Sequence, residues 1–278
     1  MQRLSGKGDP IQRRRLVKLA PGAGLTGLLA LAACGPAPGA SGGRPPAASE
    51  AERGYAPPPA VTFAARAGEG RVLLSGTAPA ASRVRVASPA GQQTFVLADA
   101  GGAWRMALPL AADVRLFGVS APVAGRVVQA EGYLAVTPHG EAAQLRAGSG
   151  AVVLDRPGPG IAVLAADFDR KLAAVISGRA PALALVKIAV DGEGVGQTNA
   201  DASGRFMLAL DKPLKPGAHA IAASAGGLSN EVSLTASPPD PLTGGPFRAE
   251  AALAGWRVDW LTPGGGVQST VLFQAGGA

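Results

Sequence analysis

Few residues in this chain could do covalent or metal chemistry. There is one cysteine, Cys34, and there are two histidines, His139 and His219. A single thiol cannot close an intramolecular disulfide and is a poor start to a metal site. Neither histidine stands at a recognisable spacing from a serine and a carboxylate. There is no His-Glu-x-x-His pair and no phosphate-binding loop. No catalytic residue, metal-ligand set or cofactor is therefore expected. Asp167, Asp169, Asp191, Glu193 and Asp201 crowd one region. A calcium loop needs carboxylates at closely alternating positions, and that pattern is missing.

Cys34 draws its meaning from what precedes it. Arg13, Arg14, Arg15 and Lys18 give a charged start, Leu25, Leu28, Leu29, Ala30 and Leu31 an apolar middle, and Ala32-Ala33 a small-residue exit. That apolar run is shorter than the roughly 20 residues a spanning helix needs. Leu31-Ala32-Ala33-Cys34 resembles the lipobox of bacterial lipoproteins. The resemblance implies cleavage of residues 1–33, lipidation of Cys34 and a membrane held through acyl chains. Arg13-Arg14-Arg15-Leu16-Val17-Lys18 is similar to a twin-arginine export signal, with Gln12 where Ser is usual; an ordinary Sec signal is the alternative. Gly35 after the cysteine, in place of Asp, implies the outer membrane in a Gram-negative host, on its periplasmic face or its surface.

Charge follows the same division. The chain carries a formal +7. Arg3, Lys7, Arg13, Arg14, Arg15 and Lys18 against Asp9 place +5 of it in the leader, leaving +2 beyond. Nucleic acid is not an expected partner. Residues 34–60 are rich in Pro, Gly and Ser, as in Ser41-Gly42-Gly43-Arg44-Pro45-Pro46 and Pro57-Pro58-Pro59. Such a stretch buries too little to offset its ordering entropy, and a disordered tether is expected.

The rest repeats itself. Ser75-Gly76-Thr77-Ala78-Pro79 returns as Ser177-Gly178-Arg179-Ala180-Pro181, an offset of 102 residues. At that offset Val84 and Val86 meet Val186 and Ile188, and Asp99-Ala100-Gly101-Gly102 meets Asp201-Ala202-Ser203-Gly204. Trp104, Met106 and Leu108 meet Phe206, Leu208 and Leu210. A two-residue insertion at Lys212-Pro213 then aligns Gly118 and Ser120 with Ala222 and Ser224. Apolar and polar residues alternate in each copy, the period of a half-buried strand. Asp-x-x-Gly is turn chemistry, and matched Trp104 and Phe206 are expected in the core.

This pattern resembles bacterial Ig-like repeats of surface proteins. The fold expected is all-β: two tandem small Ig-like sandwiches, each followed by a β-hairpin or extra strands. The boundaries are 61–122 and 161–236 for the repeats. Extensions span 123–160 and 237–278, each with a Thr-Pro turn, at Thr137-Pro138 and Thr262-Pro263.

The second extension holds the candidate binding surface. Trp256, Val258 and Trp260 fall on one strand face, with Arg257 and Asp259 on the other. That aromatic face either stacks on sugar rings or packs on a partner, or closes onto the second sandwich as core. The first function these readings suggest is a non-catalytic, membrane-anchored spacer or protein-binding module of the cell envelope. The alternative is a carbohydrate- or peptidoglycan-binding accessory lipoprotein that uses the two tryptophans. A subunit of a larger envelope assembly, pairing through strand edges, is a third.

Overall fold

The computed structural model describes residues 57–68, 70–154 and 160–274. Cys34, its lipobox, the leader and all but the last residues of the tether lie outside them. Every regular element among the described residues is a strand. The first copy runs β1 (Ala60–Ala67), β2 (Arg71–Thr77), β3 (Arg83–Ala87), β4 (Gln93–Leu97), β5 (Ala103–Pro109), β6 (Arg115–Val123) and β7 (Arg126–Gln129). Three more strands extend it: β8 (Tyr133–Val136), β9 (Ala142–Leu145) and β10 (Val152–Val153). The second copy runs β11 (Ala162–Phe168), β12 (Ala174–Arg179), β13 (Leu185–Val190), β14 (Glu193–Asn199), β15 (Arg205–Ala209), β16 (Gly217–Ala225) and β17 (Leu228–Ala236). Its extension is β18 (Phe247–Ala252), β19 (Gly255–Leu261) and β20 (Val267–Phe273). The protein is a pair of β-sandwiches, as the alternation and turn chemistry predict.

The repeat is exact enough to carry its irregularities with it. The β1–β2 register shifts between Val61 and Phe63, and the β11–β12 register shifts between Val163 and Ala165, 102 positions later. The Ser-Gly motif explains itself here. A β-carbon on Gly76 would fall 1.9 Å from the Ala60 carbonyl oxygen and 2.5 Å from the Trp104 ring; one on Gly178 would fall 2.1 Å from the Ala162 oxygen and 2.6 Å from Phe206. The glycine lets the matched aromatic lie against the neighbouring backbone, and Trp104 and Phe206 are buried there. Asp99 Oδ1 accepts from the N–H groups of Gly101 and Ala103, and Asp201 Oδ1 from those of Ser203 and Arg205. Both aspartates are turn caps. The insertion is also visible in the register: Val86 opposes Val119, whereas Ile188 opposes Ala223.

Four sheets result. The order β1-β2-β5 forms one. A second runs β10-β9-β8-β6-β3-β4, with β7 also on β6. The third runs β15-β12-β11-β20-β19-β18 and the fourth β14-β13-β16-β17. Both extensions are therefore extra strands added to a sandwich sheet, on β6 in the first copy and on β11 in the second. Three apolar layers separate the sheets. Val72, Leu74, Trp104, Phe117 and Val119 fill the first sandwich. Phe168, Ile176, Phe206, Ile221 and Val271 fill the second. The third layer lies between the sandwiches, where Leu116, Ala135 and Leu145 meet Ala165, Val258, Trp260 and Leu272. The two copies are stacked face to face through their extensions.

Candidate functional site

The C-terminal tryptophan hairpin sits at that junction. Alternation along β19 puts Trp256, Val258 and Trp260 on the side of the first copy. Trp260 is 0% exposed, and Tyr133 of β8 meets it edge-on with ring centroids 5.8 Å apart. Its indole N–H donates to Thr270 Oγ1 at 3.1 Å. This corrects the expected binding surface: Trp260 forms no open platform, and Trp256 is a half-buried margin of the same layer. Nor does the aromatic face close onto the second sandwich. The opposite face does that.

Arg257 and Asp259 occupy that opposite face, and they too are buried. Alternation suggested a polar outer side, but β19 has protein on both sides. Buried charges persist only when paired and hydrogen-bonded. Arg257 Nε donates to Asp259 Oδ1 at 2.8 Å, and its other nitrogens donate to the Ser237 hydroxyl, the Ser237 carbonyl (3.0 Å) and Ser269 Oγ (2.9 Å). Ser269 Oγ donates to Asp259 Oδ1 at 2.6 Å, and Arg248 to Asp259 Oδ2 at 2.6 Å. Every charge in this cluster is met within the chain.

Beside Trp260 lies a polar node. Asp167 on β11 is 2% exposed and receives three donors: Ala151 N–H at 2.7 Å, Thr270 Oγ1 at 2.5 Å and Gln268 Nε2 at 3.3 Å. Gln268 also accepts from Gly148 N–H at 3.0 Å, and Ser177 Oγ donates to the Ala151 carbonyl at 2.8 Å. Residues 146–151, which connect β9 to β10 within the first extension, are thus bonded to the second copy. Burial pushes the Asp167 carboxyl up from 3.8 to about 6 against the pull of these donors. A lone acid within Ala162-Val163-Leu164-Ala165-Ala166-Asp167-Phe168, otherwise apolar, was the sequence signal for such a node.

His219 lies elsewhere, in β16. Its Nδ1 is 2.7 Å from Asp191 Oδ2 and its Nε2 2.8 Å from the Lys215 carbonyl oxygen. Both neighbours are acceptors, so both contacts favour the doubly protonated ring. The Lys215 carbonyl and the Asp191 carboxylate raise its pKa, and the histidine in turn lowers that of Asp191. In copy one the aligned residue is Arg115. It donates to the Pro109 carbonyl and to Gln92 Oε1 across the same pair of loops. His219 therefore takes the place of a loop-bridging arginine, and its two hydrogen-bond partners are the Asp191 carboxylate and the Lys215 carbonyl. His139 lies in the Thr137–Gly140 turn. Among the described residues no group of three or more His, Cys, Asp or Glu could hold a metal ion. Asp169 and Asp201 cap turns, Asp167 is consumed at the junction and Asp191 faces His219.

No protein-family model matches the sequence, and no curated protein matches it. Among solved structures, one similar chain is the BSP domain of a biofilm associated protein, at 14% identity and a TM-score of 0.23, covering 61% of this chain and 28% of that one. A second is the central fibronectin-III array of RIM-binding protein, at 14% identity and 0.24, covering 78% and 89%. A third is a bacterial ice-binding adhesin, at 11% identity and 0.22, covering 73% and 80%.

Proposed function

We propose that this chain is a non-catalytic lipoprotein of the cell envelope, anchored through acylated Cys34, whose stacked sandwiches act as a protein-binding module. The observation that carries the reading is the apolar layer between the copies. Sheets pack about 10 Å apart, so stacking face to face adds thickness where an end-to-end array would add length. A spacer gains little from that arrangement. A module that must hold a fixed surface gains rigidity. The Pro- and Gly-rich tether would give it reach from the membrane. Burial of Trp260 leaves a glycan-stacking role at the hairpin without its platform.

The test compares the full-length protein with Cys34→Ala in the native host, with fractionation, mass measurement of the Cys34 peptide and in-cell crosslinking. Membrane recovery with an acylated Cys34 peptide, lost in the variant, is the expected result, together with a crosslinked envelope protein. A wild-type chain found in the soluble fraction with a free thiol at Cys34 would overturn the anchor. An anchored chain that captures no protein would overturn the binding role.

A further inference from the structure

The two copies serve as controls for each other, and apart from their extensions they differ at one end of the second sandwich. The β5–β6 connection spans residues 110–114, while the β15–β16 connection spans 210–216 and holds the inserted Lys212-Pro213. The β3–β4 connection spans 88–92, while β13–β14 turns through Asp191-Gly192 alone, with Asp191 at a φ of 53°. The longer loop and the longer hairpin stand apart and enclose a half-open cavity of about 430 Å³. That volume lies within the range of small-molecule sites, about 300–1,000 Å³. In copy one, Arg115 spans the matching gap.

Chemistry divides the cavity wall. Val190, Val195, Leu210 and Leu214 give it an apolar floor continuous with the core of the second sandwich. Lys212 and Lys215 stand exposed on the loop, against one carboxylate, Asp211. Asp191 and His219 also line it, and they are paired with each other at 2.7 Å. On the loop the two lysines thus outnumber the one aspartate, over an apolar floor.

The geometry points to a binding site here for a small amphipathic anion, an apolar body carrying a sulfonate, carboxylate or phosphate head. The body would lie on Val190, Val195 and Leu214, and the head against Lys212 and Lys215. His219 is a positioning residue: its bonds to Asp191 and to the Lys215 carbonyl tie the loop to the hairpin and hold the mouth at its width. This site is independent of the anchor and of any protein partner.

The test uses anilinonaphthalene sulfonate as probe, titrated into the full chain by fluorescence, with N-phenylnaphthylamine as its uncharged counterpart. Lys212→Glu/Lys215→Glu in the same buffer is the first reference; both side chains are exposed, so the fold is kept. Gly194→Trp is the second. A β-carbon at Gly194 meets nothing within 4 Å and its φ is ordinary, so a ring can fill the cavity without strain on the backbone. The expected result is saturable binding of one equivalent, about tenfold weaker in the double lysine variant, and abolished by Gly194→Trp. The uncharged probe should bind wild type and the lysine variant alike and be excluded by Gly194→Trp. Equal sulfonate titrations in wild type and both variants, or no saturable signal above the buffer blank, would overturn the site. Loss with Gly194→Trp alone would leave an apolar pocket and overturn its preference for anions.

Discussion

Asp167 makes the junction sensitive to pH, and the sign can be worked out. Its carboxyl titrates near 3.8 when exposed and is pushed up to about 6 in the folded protein by burial. The folded state thus holds its proton more tightly than the unfolded state. Stability from this group is fully present below pH 3.8 and is lost as pH rises to about 6. The displacement amounts to about 3 kcal/mol, of which about 2 kcal/mol falls between pH 4 and pH 7. Asp167→Asn removes the titration. It also leaves a single side-chain oxygen to meet Ala151 N–H, Thr270 O–H and Gln268 N–H, so it costs stability at every pH. Urea unfolding of both proteins at pH 4, 5, 6 and 7 isolates the effect, because every other carboxyl cancels in the difference. The advantage of wild type over Asp167→Asn should shrink by about 2 kcal/mol from pH 4 to pH 7. An advantage that stays level or grows with pH would refute the reasoning. It would mean that the three donors outweigh burial and hold a carboxylate at the junction.

Trp260→Ala should cost about 3–5 kcal/mol in urea unfolding, since it empties the centre of the layer between the copies and removes the donor to Thr270; a loss below about 1 kcal/mol would mean the layer does not join them. Gly178→Ala places a methyl 2.1 Å from the Ala162 oxygen and should destabilise by about 4 kcal/mol or more. Gly118→Ala, with nothing within 4 Å, should stay within about 1 kcal/mol of wild type in the same denaturation assay.

Much of the fold was legible because the chain states it twice. The matched Gly76 and Gly178, Asp99 and Asp201, and Trp104 and Phe206 each do the same task in both copies, so one reading supports the other. The insertion at Lys212-Pro213 was legible for the same reason. The candidate site was less so, because the hairpin appears with different sequences and different neighbours in the two copies. Trp256-Arg257-Val258-Asp259-Trp260 alternates as a half-buried strand should. Periodicity reports that two faces differ; it does not report that both are covered. Here an apolar face meets the other sandwich, and a charged face is buried because Arg257, Arg248, Asp259 and Ser269 satisfy one another.

That difference bears on how the two copies came to be used. If the sandwiches were independent, neither extension would need an apolar outer face, and Trp260, Val258 and Leu272 would be exposed on a sheet in water, an aggregation hazard. Their burial against Leu116, Ala135 and Leu145 makes each extension the cover of the other. The junction also uses polar groups that only correct docking can satisfy: Ala151 N–H donates to Asp167, Gly148 N–H donates to Gln268 Oε1, and Ser177 Oγ donates to the Ala151 carbonyl. Misplacing one copy would strand a buried acid and its donors, each costly without a partner. The apolar layer supplies the driving force for stacking, and the Asp167 node selects one register of it. The end of the second sandwich that carries Lys212, Lys215 and His219 takes no part in that layer. It is free to differ from its counterpart in copy one without loosening the stack, and the two ends do differ in loop length and charge.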